Sequence, residues 1–195
     1  MKICLIVEGC YPYVVGGVSA WVQMLLRRMP EHQFVIVSIG AEHKQKGQFR
    51  YEIPANVTEL REYFLDEAIE SDAEPRPGRP LTTAQRQALL DLVKGTEPDW
   101  AQLFELFGGK HPRPVGEFLM SADFLPLVQG LAESTGRNTP FKDLFWTLRS
   151  MLLPVLELLR CPVPEADVYH TVATGYAGLL GAKFSYFAQK PYLVT

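Results

Sequence analysis

The first forty residues carry the pattern that most limits the possible folds. Residues 3–7 (ICLIV) form a continuous apolar run, which is typical of a parallel strand buried on both faces. An amphipathic segment with apolar residues at helical spacing runs to Leu26, and residues 34–39 form a second run of the buried type. The order strand, helix, strand predicts a right-handed βαβ unit, whose functional loops lie at the carboxyl ends of its strands.

The same alternation returns near the end of the chain. Residues 166–170 predict a short strand, residues 174–188 a helix and residues 192–194 the start of another strand. The region between is different. One or two strands are expected within residues 49–65, around residues 49–51 and 57–64, and helical periodicity follows. The expected helices cover residues 82–93, 97–107, 115–135 and 140–159, with Pro154 as a kink or a boundary. We therefore expect an α/β fold, a Rossmann-like parallel sheet with a large helical insertion.

This pattern divides the chain into three parts. Residues 1–65 and 161–195 form the Rossmann-like domain, and residues 81–160 form the helical insertion. Residues 70–80, rich in proline and alternating charge, predict a flexible linker. Because the chain stops at Thr195 in what the pattern makes a strand, we expect it to be a fragment of a longer protein.

Composition narrows the classes of partner. The net charge is −3 and charged residues make up 21% of the chain, so no overall electrostatic case exists for binding nucleic acid or anionic lipid. The N-terminal apolar run is too short for a secretory signal. Residues 151–159 contain Pro154 and Glu157 and are too few to cross a bilayer, which needs about 20 apolar residues.

The cysteines and most histidines offer no metal site. Cys4, Cys10 and Cys161 form no CxxC pair and are odd in number, which indicates reduced thiols in a cytoplasmic protein. The other histidines, at positions 32, 43 and 111, have no ligand partners at metal-binding spacing. The sequence therefore predicts no bound metal.

The glycine pair Gly16-Gly17 is the leading candidate for a binding site. Glycines between a strand and a helix let backbone N–H groups approach an anion closely, and the helix dipole favours negative charge there. The alternative is that the two glycines only turn the chain from strand into helix. The spacing matches neither GxGxxG nor GxxxxGK[ST], which disfavours a dinucleotide-dependent reductase or epimerase and a P-loop NTPase.

Two further side chains are expected at the same edge of the sheet. His170 ends a predicted strand, where it could donate a hydrogen bond to a sugar hydroxyl or a phosphate; a bond to a backbone carbonyl is the alternative. Glu8 directly follows the first strand and is a candidate for binding a hydroxyl group, with local capping or pairing as its alternative. The aromatic residues Phe141, Phe145 and Trp146 predict a helix face that packs on the scaffold, or less simply a groove for a sugar chain.

Two segments carry a family resemblance. Residues 3–22 (ICLIVEGCYPYVVGGVSAWV) resemble the opening of retaining GT-B glycosyltransferases, the family that includes sucrose and glycogen synthases. Together with residues 166–182 (ADVYHTVATGYAGLLGA) and the insertion, they are similar more narrowly to the PelF-like glycosyltransferases of bacterial Pel exopolysaccharide synthesis, which act in the cytoplasm. The resemblance covers essentially the whole chain, although the insertion is matched only in character.

The resemblance implies that this chain is the acceptor-side, N-terminal half of a GT-B fold. Such an enzyme transfers a hexose from a UDP-sugar to a growing glycan with retention, without a metal or other cofactor. By the family pattern, Gly16 and Gly17 contact the donor diphosphate and His170 lies near the transferred sugar. Many relatives carry a second histidine two residues later, where this sequence has Val172. The donor-site basic residues and glutamates would lie beyond Thr195, so the fragment alone is expected to be inactive.

A second hypothesis belongs to a different class of function. The chain could be a docking module of an inner-membrane polysaccharide synthase complex, in which the insertion recruits a partner and the Rossmann-like core is a scaffold. Substitution of Gly16 or Gly17 by a bulky residue distinguishes the two, because only the enzyme hypothesis requires close approach of a ligand to these glycines.

Overall fold

The structure is a computed structural model that describes residues 1–70, 80–135 and 139–195. Residues 71–79 of the predicted linker 70–80 lie outside the described residues. The strands are β1 (Lys2–Glu8), β2 (Gln33–Gly40), β3 (Val57–Phe64), β4 (Val168–Thr171) and β5 (Tyr192–Val194). The helices in this part of the chain are α1 (Gly17–Arg28), α2 (Leu65–Glu70), α3 (Thr83–Lys94), α4 (Trp100–Gly108), α5 (Val115–Leu119), α6 (Leu125–Thr135), α7 (Phe141–Leu158) and α8 (Tyr176–Ala188).

All five strands form one parallel sheet in the order β3-β2-β1-β4-β5. The predicted α/β fold with a Rossmann-like parallel sheet is therefore confirmed. From β1 the chain moves outward through β2 to β3, and it then crosses back to place β4 on the other side of β1. The strand order thus reverses between β1 and β4. In open α/β sheets, ligands bind outside the carboxyl ends of the strands at such a switch point.

The core of the sheet follows directly from the apolar runs. Cys4, Leu5, Ile6 and Val7 of β1 are fully buried, as expected for a central strand covered on both faces. Helix α1 packs its apolar stripe on this strand through residues such as Leu26. Burial of each large apolar side chain contributes about 1.5–3 kcal/mol, so the strands next to the switch point rest on the best-packed part of the unit.

The chain divides into two compact units. The scaffold unit comprises residues 1–67 and 162–195, and the helical unit comprises residues 68–161. In the helical unit, Thr82 and Gln85 form a reciprocal capping box at the start of α3, and Gly95 ends this helix in the left-handed conformation at φ 70°. The predicted helix at 82–93 is therefore confirmed to within one residue at each end.

Several predicted boundaries differ from the structure. Helix α4 begins at Trp100 instead of residue 97, because the Asp99 side chain accepts hydrogen bonds from the first-turn N–H groups. The region expected to be helical at 115–135 contains two helices, α5 and α6. Pro154 marks no boundary, since α7 continues through it.

The prediction of a strand around residues 49–51 is wrong, because these residues form no strand. The predicted strand at residues 57–64 is confirmed as β3. Residues 49–51 pack instead through their aromatic rings on the loop after β1. Phe49 contacts Tyr13 at 5.9 Å between ring centroids, and Tyr51 contacts Tyr11 at 5.4 Å. The aromatic side chains that favour a strand here pack on the loop instead.

The aromatic residues of α7 do not act as one packed face. Phe145 packs edge-on against Phe124 of the helical unit, with 5.4 Å between centroids. Phe141 and Trp146 are each 50% exposed. Among the described residues, no helix combines the length and the apolar character that crossing a membrane requires.

Candidate functional site at the sheet switch point

The loop between β1 and α1 is fixed at its start by a turn. Gly9 has a φ of 62°, a left-handed conformation that glycine adopts without penalty, and its N–H donates to the Ile39 carbonyl at 2.9 Å. The N–H groups of Tyr13 and Val14 both donate to the Cys10 carbonyl at 2.9 Å. These bonds fold the loop back over the carboxyl ends of β1 and β2.

Two tyrosines hold the base of this loop. The Tyr11 ring is fully buried, and its hydroxyl donates to the side-chain oxygen of Gln23 at 2.8 Å. Burial raises the pKa of Tyr11 to about 12, so this hydroxyl remains a donor at neutral pH. The Tyr13 hydroxyl donates to the Glu62 carboxylate of β3, and the Ser38 hydroxyl donates to the Tyr11 carbonyl at 2.8 Å.

Tyr11, Tyr13 and Glu62 were not predicted as site residues from the sequence. The signal that could have pointed to the tyrosines is the Tyr-Pro-Tyr sequence just before the glycine pair. No local signal relates Glu62 to this loop, because the two are joined only by strand pairing in the sheet. The anchored tyrosines present the following residues as a preorganised loop.

Helix α1 begins at the predicted place, and its N-terminus carries no protein cap. Gly16 is the N-cap residue and Gly17 the first helical residue. Among the described residues, no capping side-chain hydrogen bond is formed at this helix start, and the first turn contains no acidic residue. The first N–H groups of a helix lack partners within the helix and carry its positive partial charge. This end of α1 therefore offers donors to an anion.

Neither conformation nor packing requires glycine at these two positions. Gly16 has a φ of 179°, an extended backbone that any residue adopts, and Gly17 is not left-handed. In the part of the chain that the structure describes, a Cβ added at either glycine meets no atom within 4 Å. The neighbouring side chain of Val15 is 73% exposed. A small residue here leaves space in front of the helix, which is what close approach of a ligand needs.

Glu8 ends β1 and contacts a second helix. Its Oε2 accepts a hydrogen bond from the Ala177 N–H in the first turn of α8 at 3.0 Å. The local N-cap of α8 is Gly175, which has no side chain to cap with. A Cβ on Gly175 would lie 2.9 Å from Oε2 of Glu8, so the glycine makes room for the carboxylate. Glu8 thus caps α8, a helix 169 positions later in the chain, whereas the expected alternative to hydroxyl binding was a local cap or pair.

His170 lies on β4, paired in register with Leu5 of β1. Its half-buried ring contacts Trp21 of α1 edge-on at 5.9 Å between centroids. The Nε2 atom lies 2.6 Å from the Thr195 hydroxyl oxygen. Burial lowers the pKa of His170 below 6.5, which favours the neutral imidazole at physiological pH. Val172, two residues later, packs against the apolar core of the scaffold unit.

The sheet brings these elements to one edge. Strands β1 and β4 are neighbours, Glu8 reaches the start of α8, and His170 contacts α1 through Trp21. The uncapped start of α1 belongs to the same edge, because it follows the carboxyl end of β1. The arrangement offers backbone donors for an anion and a neutral imidazole that can donate or accept a hydrogen bond.

Other features lie apart from this edge. Among the described residues, no three His, Cys, Asp or Glu side chains are placed to hold a metal ion. Among the described residues no disulfide is formed, and burial raises the pKa of the Cys4 thiol to about 12. A groove of about 340 Å³ runs beside α1 and is lined by Ala20, Gln23, Met24, Arg27, Arg28 and Tyr51.

Comparison with protein families identifies a family for this chain. The model of a family described as Domain of unknown function (DUF3492) matches residues 1–195. The chain belongs to this family. Comparisons of this DUF3492 chain with curated proteins and with solved structures found no match. Every residue of the candidate site, from Glu8 to His170, lies inside the matched region.

Proposed function

We propose that this DUF3492 chain is the acceptor-side, N-terminal domain of a PelF-like retaining glycosyltransferase of the GT-B type. In this proposal the full-length enzyme acts in the cytoplasm, takes a sugar from a UDP-sugar and extends a bacterial exopolysaccharide. A glycan acceptor and an inner-membrane synthase complex are its proposed partners. The proposal is supported by the Rossmann-like sheet and by the residues at its switch point.

One observation carries the proposal. Gly16 and Gly17 open a helix at the switch point, and neither the backbone conformation nor the surrounding atoms demand glycine there. The simple alternative, that the glycines only turn the chain, gives no reason for two residues without a Cβ. A diphosphate approaching the first-turn N–H groups does give a reason, because side chains at these positions would stand in its way.

The chemistry of sugar transfer suits these donors. When the bond from the anomeric carbon to the diphosphate oxygen breaks, negative charge grows on the leaving group. Preorganised N–H groups and the α1 dipole stabilise that charge more than they stabilise the bound donor, and loss of one such donor typically lowers kcat about 100-fold or more. In the proposal, the remaining positive charge comes from outside this domain.

His170 is the proposed contact to the transferred sugar. Because burial lowers its pKa, the ring is neutral at pH 7 and offers one donor and one acceptor nitrogen to hydroxyl groups. Its Nε2 already bonds to an uncharged hydroxyl, that of Thr195, at 2.6 Å, so this atom is suited to a sugar hydroxyl.

The test uses the full-length protein with substitutions at Gly17. Gly17→Ala and Gly17→Val should reduce transfer from UDP-sugar progressively, with a loss of about 100-fold for valine, because the side chain occupies the space of the phosphate. Gly178→Ala in α8 is the matched control, since its Cβ would make only ordinary contacts of 3.5 Å or more. Transfer is measured as labelled sugar incorporated into glycan, and donor binding by calorimetry with UDP.

The variants should unfold at the wild-type denaturant concentration, because the added Cβ meets no protein atom. A Gly17→Val enzyme that is stable and transfers sugar at the wild-type rate would show that α1 does not bind the donor.

A docking module remains the second candidate. It is favoured by Trp146 of α7, which is 50% exposed with the Arg149 guanidinium 5.6 Å above its ring. Under this hypothesis Trp146→Ala releases the synthase partner in a pull-down with the purified complex, whereas Gly17→Val does not reduce glycan output. The two sets of variants therefore separate the candidates.

A further inference from the structure

The start of α8 is capped by a residue from the other end of the chain. The N-cap residue of a helix normally supplies a side-chain oxygen to the N–H of the second or third helical residue. In α8 the N-cap is Gly175, and the carboxylate that bonds to the N–H of Ala177 comes from Glu8, 169 positions earlier. The first turn of α8 contains no acidic residue of its own.

Gly175 completes this contact from the other side. Its backbone angles are φ −72° and ψ −125°, which lie outside the left-handed region. An added Cβ, however, would lie 2.9 and 3.0 Å from the two carboxylate oxygens of Glu8. Glycine at this position therefore leaves the space that the Glu8 carboxylate occupies. Glu8 and Gly175 thus fit together sterically at the start of α8.

The contact fixes the segment that follows His170. Residues 172–175 connect β4 to α8, and at their near end the N–H of Val172 bonds to the Ile6 carbonyl at 3.4 Å. At the far end, Glu8 holds the first turn of α8. Both attachments lead to β1, whose next residues form the loop to Gly16 and Gly17. The position of residues 172–175 relative to the glycine pair thus depends on Glu8, whereas His170 is held by its strand pairing with Leu5.

We propose that Glu8 is a positioning residue that holds the β4–α8 segment, which directly follows the strand of His170, in place relative to Gly16 and Gly17, and that it does not contact the donor. This inference rests on the proposed function, because it assigns Glu8 a task in sugar transfer. It differs from the hydroxyl-binding role that the sequence suggested, since the carboxylate is directed to a backbone N–H of the protein.

The first experiment compares Glu8→Ala with Glu8→Gln in the full-length enzyme. The glutamine side chain retains an oxygen that can accept the Ala177 bond, so Glu8→Gln should keep kcat within about threefold of wild type. Glu8→Ala should lower kcat about 10- to 100-fold, as misplacement of a reacting group by about 1 Å does, while KM for the UDP-sugar changes less than about threefold.

The second experiment is a double-mutant cycle with Gly175→Ala. This substitution should lower kcat about tenfold by displacing the carboxylate, and it should lower kcat much less in the Glu8→Ala background, where no carboxylate is left to displace. Gly178→Ala is the control in the same helix turn, because its Cβ would lie 3.5 Å from the Ala173 carbonyl, an ordinary contact. Equal effects of Gly175→Ala in both backgrounds would overturn the pairing.

Hydrogen exchange supplies a readout that needs no catalysis. The first-turn amides of α8 should exchange about tenfold faster in Glu8→Ala than in wild type and Gly178→Ala, since loss of a cap opens the helix end. Unchanged exchange at the Ala177 amide overturns the proposal. So does a tenfold rise in KM for UDP-sugar in Glu8→Ala, which would make Glu8 a ligand contact.

Failure of the proposed function looks different. In that case the wild-type full-length protein transfers sugar from no UDP-sugar, and Gly17→Val leaves UDP binding unchanged, whereas Glu8→Ala still accelerates exchange in α8. The contact between Glu8 and α8 would then stand, and its task in sugar transfer would fall with the proposed function.

Discussion

Two helices begin at the same edge of the sheet, after the neighbouring strands β1 and β4, and their N-termini are capped differently. Helix α1 starts at Gly16 and Gly17 with no protein cap and open space before it. Helix α8 starts at Gly175 with the Glu8 carboxylate bonded to its first turn. Both N-termini carry partial positive charge. The protein neutralises the N-terminus of α8 with its own Glu8 carboxylate. The N-terminus of α1 is the one that the proposed donor diphosphate would occupy.

The contrast between α1 and α8 shows that a glycine at a helix start can have two different structural reasons. At Gly175 the missing side chain makes room for a carboxylate of the protein, whereas at Gly16 the space contains no protein atom within 4 Å. Glycine is present in both cases, but only the neighbouring atoms show which group the space serves. The following predictions test this contrast.

The largest effect is expected from closing α1 in the way that α8 is closed. Gly16→Asp supplies a capping carboxylate and should stabilise the fold by about 0.5 kcal/mol, because an acidic N-cap bonds the first turn and suits the dipole. Transfer should fall about 100-fold, since the carboxylate takes the donors and repels the diphosphate. Urea unfolding and kcat/KM for the UDP-sugar measure the two effects in the full-length protein.

Gly16→Asn is the control for this prediction, because it caps without charge and should reduce transfer less than aspartate does. A stabilised Gly16→Asp enzyme with normal kcat/KM would contradict the proposal that α1 binds the donor phosphates.

The next effect concerns packing inside α8. A Cβ on Gly181 would lie 2.3 Å from the Tyr192 ring and 2.7 Å from the Thr171 methyl group. Gly181→Ala should therefore destabilise the protein by about 2 kcal/mol, despite the better helix propensity of alanine. Gly16→Ala should stay within about 0.5 kcal/mol of wild type. The urea concentrations at the unfolding midpoints of the two variants are compared. Equal midpoints would contradict the close packing of Tyr192 and Thr171 against Gly181.

Removal of the α8 cap should have a moderate effect on stability. Glu8→Ala should lower the free energy of unfolding by about 1 kcal/mol, the usual loss for a helix cap, and Glu8→Gln should lower it less. Chemical denaturation at pH 7 measures both variants. If alanine and glutamine at this position give wild-type stability, the contact with Ala177 contributes nothing measurable to the fold.

The smallest effect is expected from the protonation of His170. Burial holds its folded pKa below the unfolded value of about 6.5, so the unfolded state binds more protons between these two values. Stability from this group is therefore complete above about pH 6.5 and is lost as pH falls through the folded pKa. Urea unfolding at a series of pH values should show a steeper acid loss in wild type than in His170→Gln. A parallel pH dependence in the two proteins would contradict the burial of this ring.

The regular elements next to the site were predictable from sequence. The apolar run of β1 and the spacing of α1 are local patterns, and they placed Gly16 and Gly17 at a helix start and His170 on a strand, as the structure has them. The prediction of a strand around residues 49–51 was wrong for a non-local reason. The aromatic rings of this segment pack on Tyr11 and Tyr13, and its backbone does not pair with the sheet.

Local sequence patterns were therefore enough to predict the α/β class, the position of the glycine pair and the edge at which the candidate site lies, because hydrophobic periodicity and turn residues act over a few neighbouring positions. The cap that Glu8 forms on α8 and the bond from Tyr13 to Glu62 became visible only in the folded chain. Those bonds join residues far apart in the chain. They exist because the order of the parallel strands places β4 beside β1 and β3 beside β2, an arrangement that no local pattern encodes.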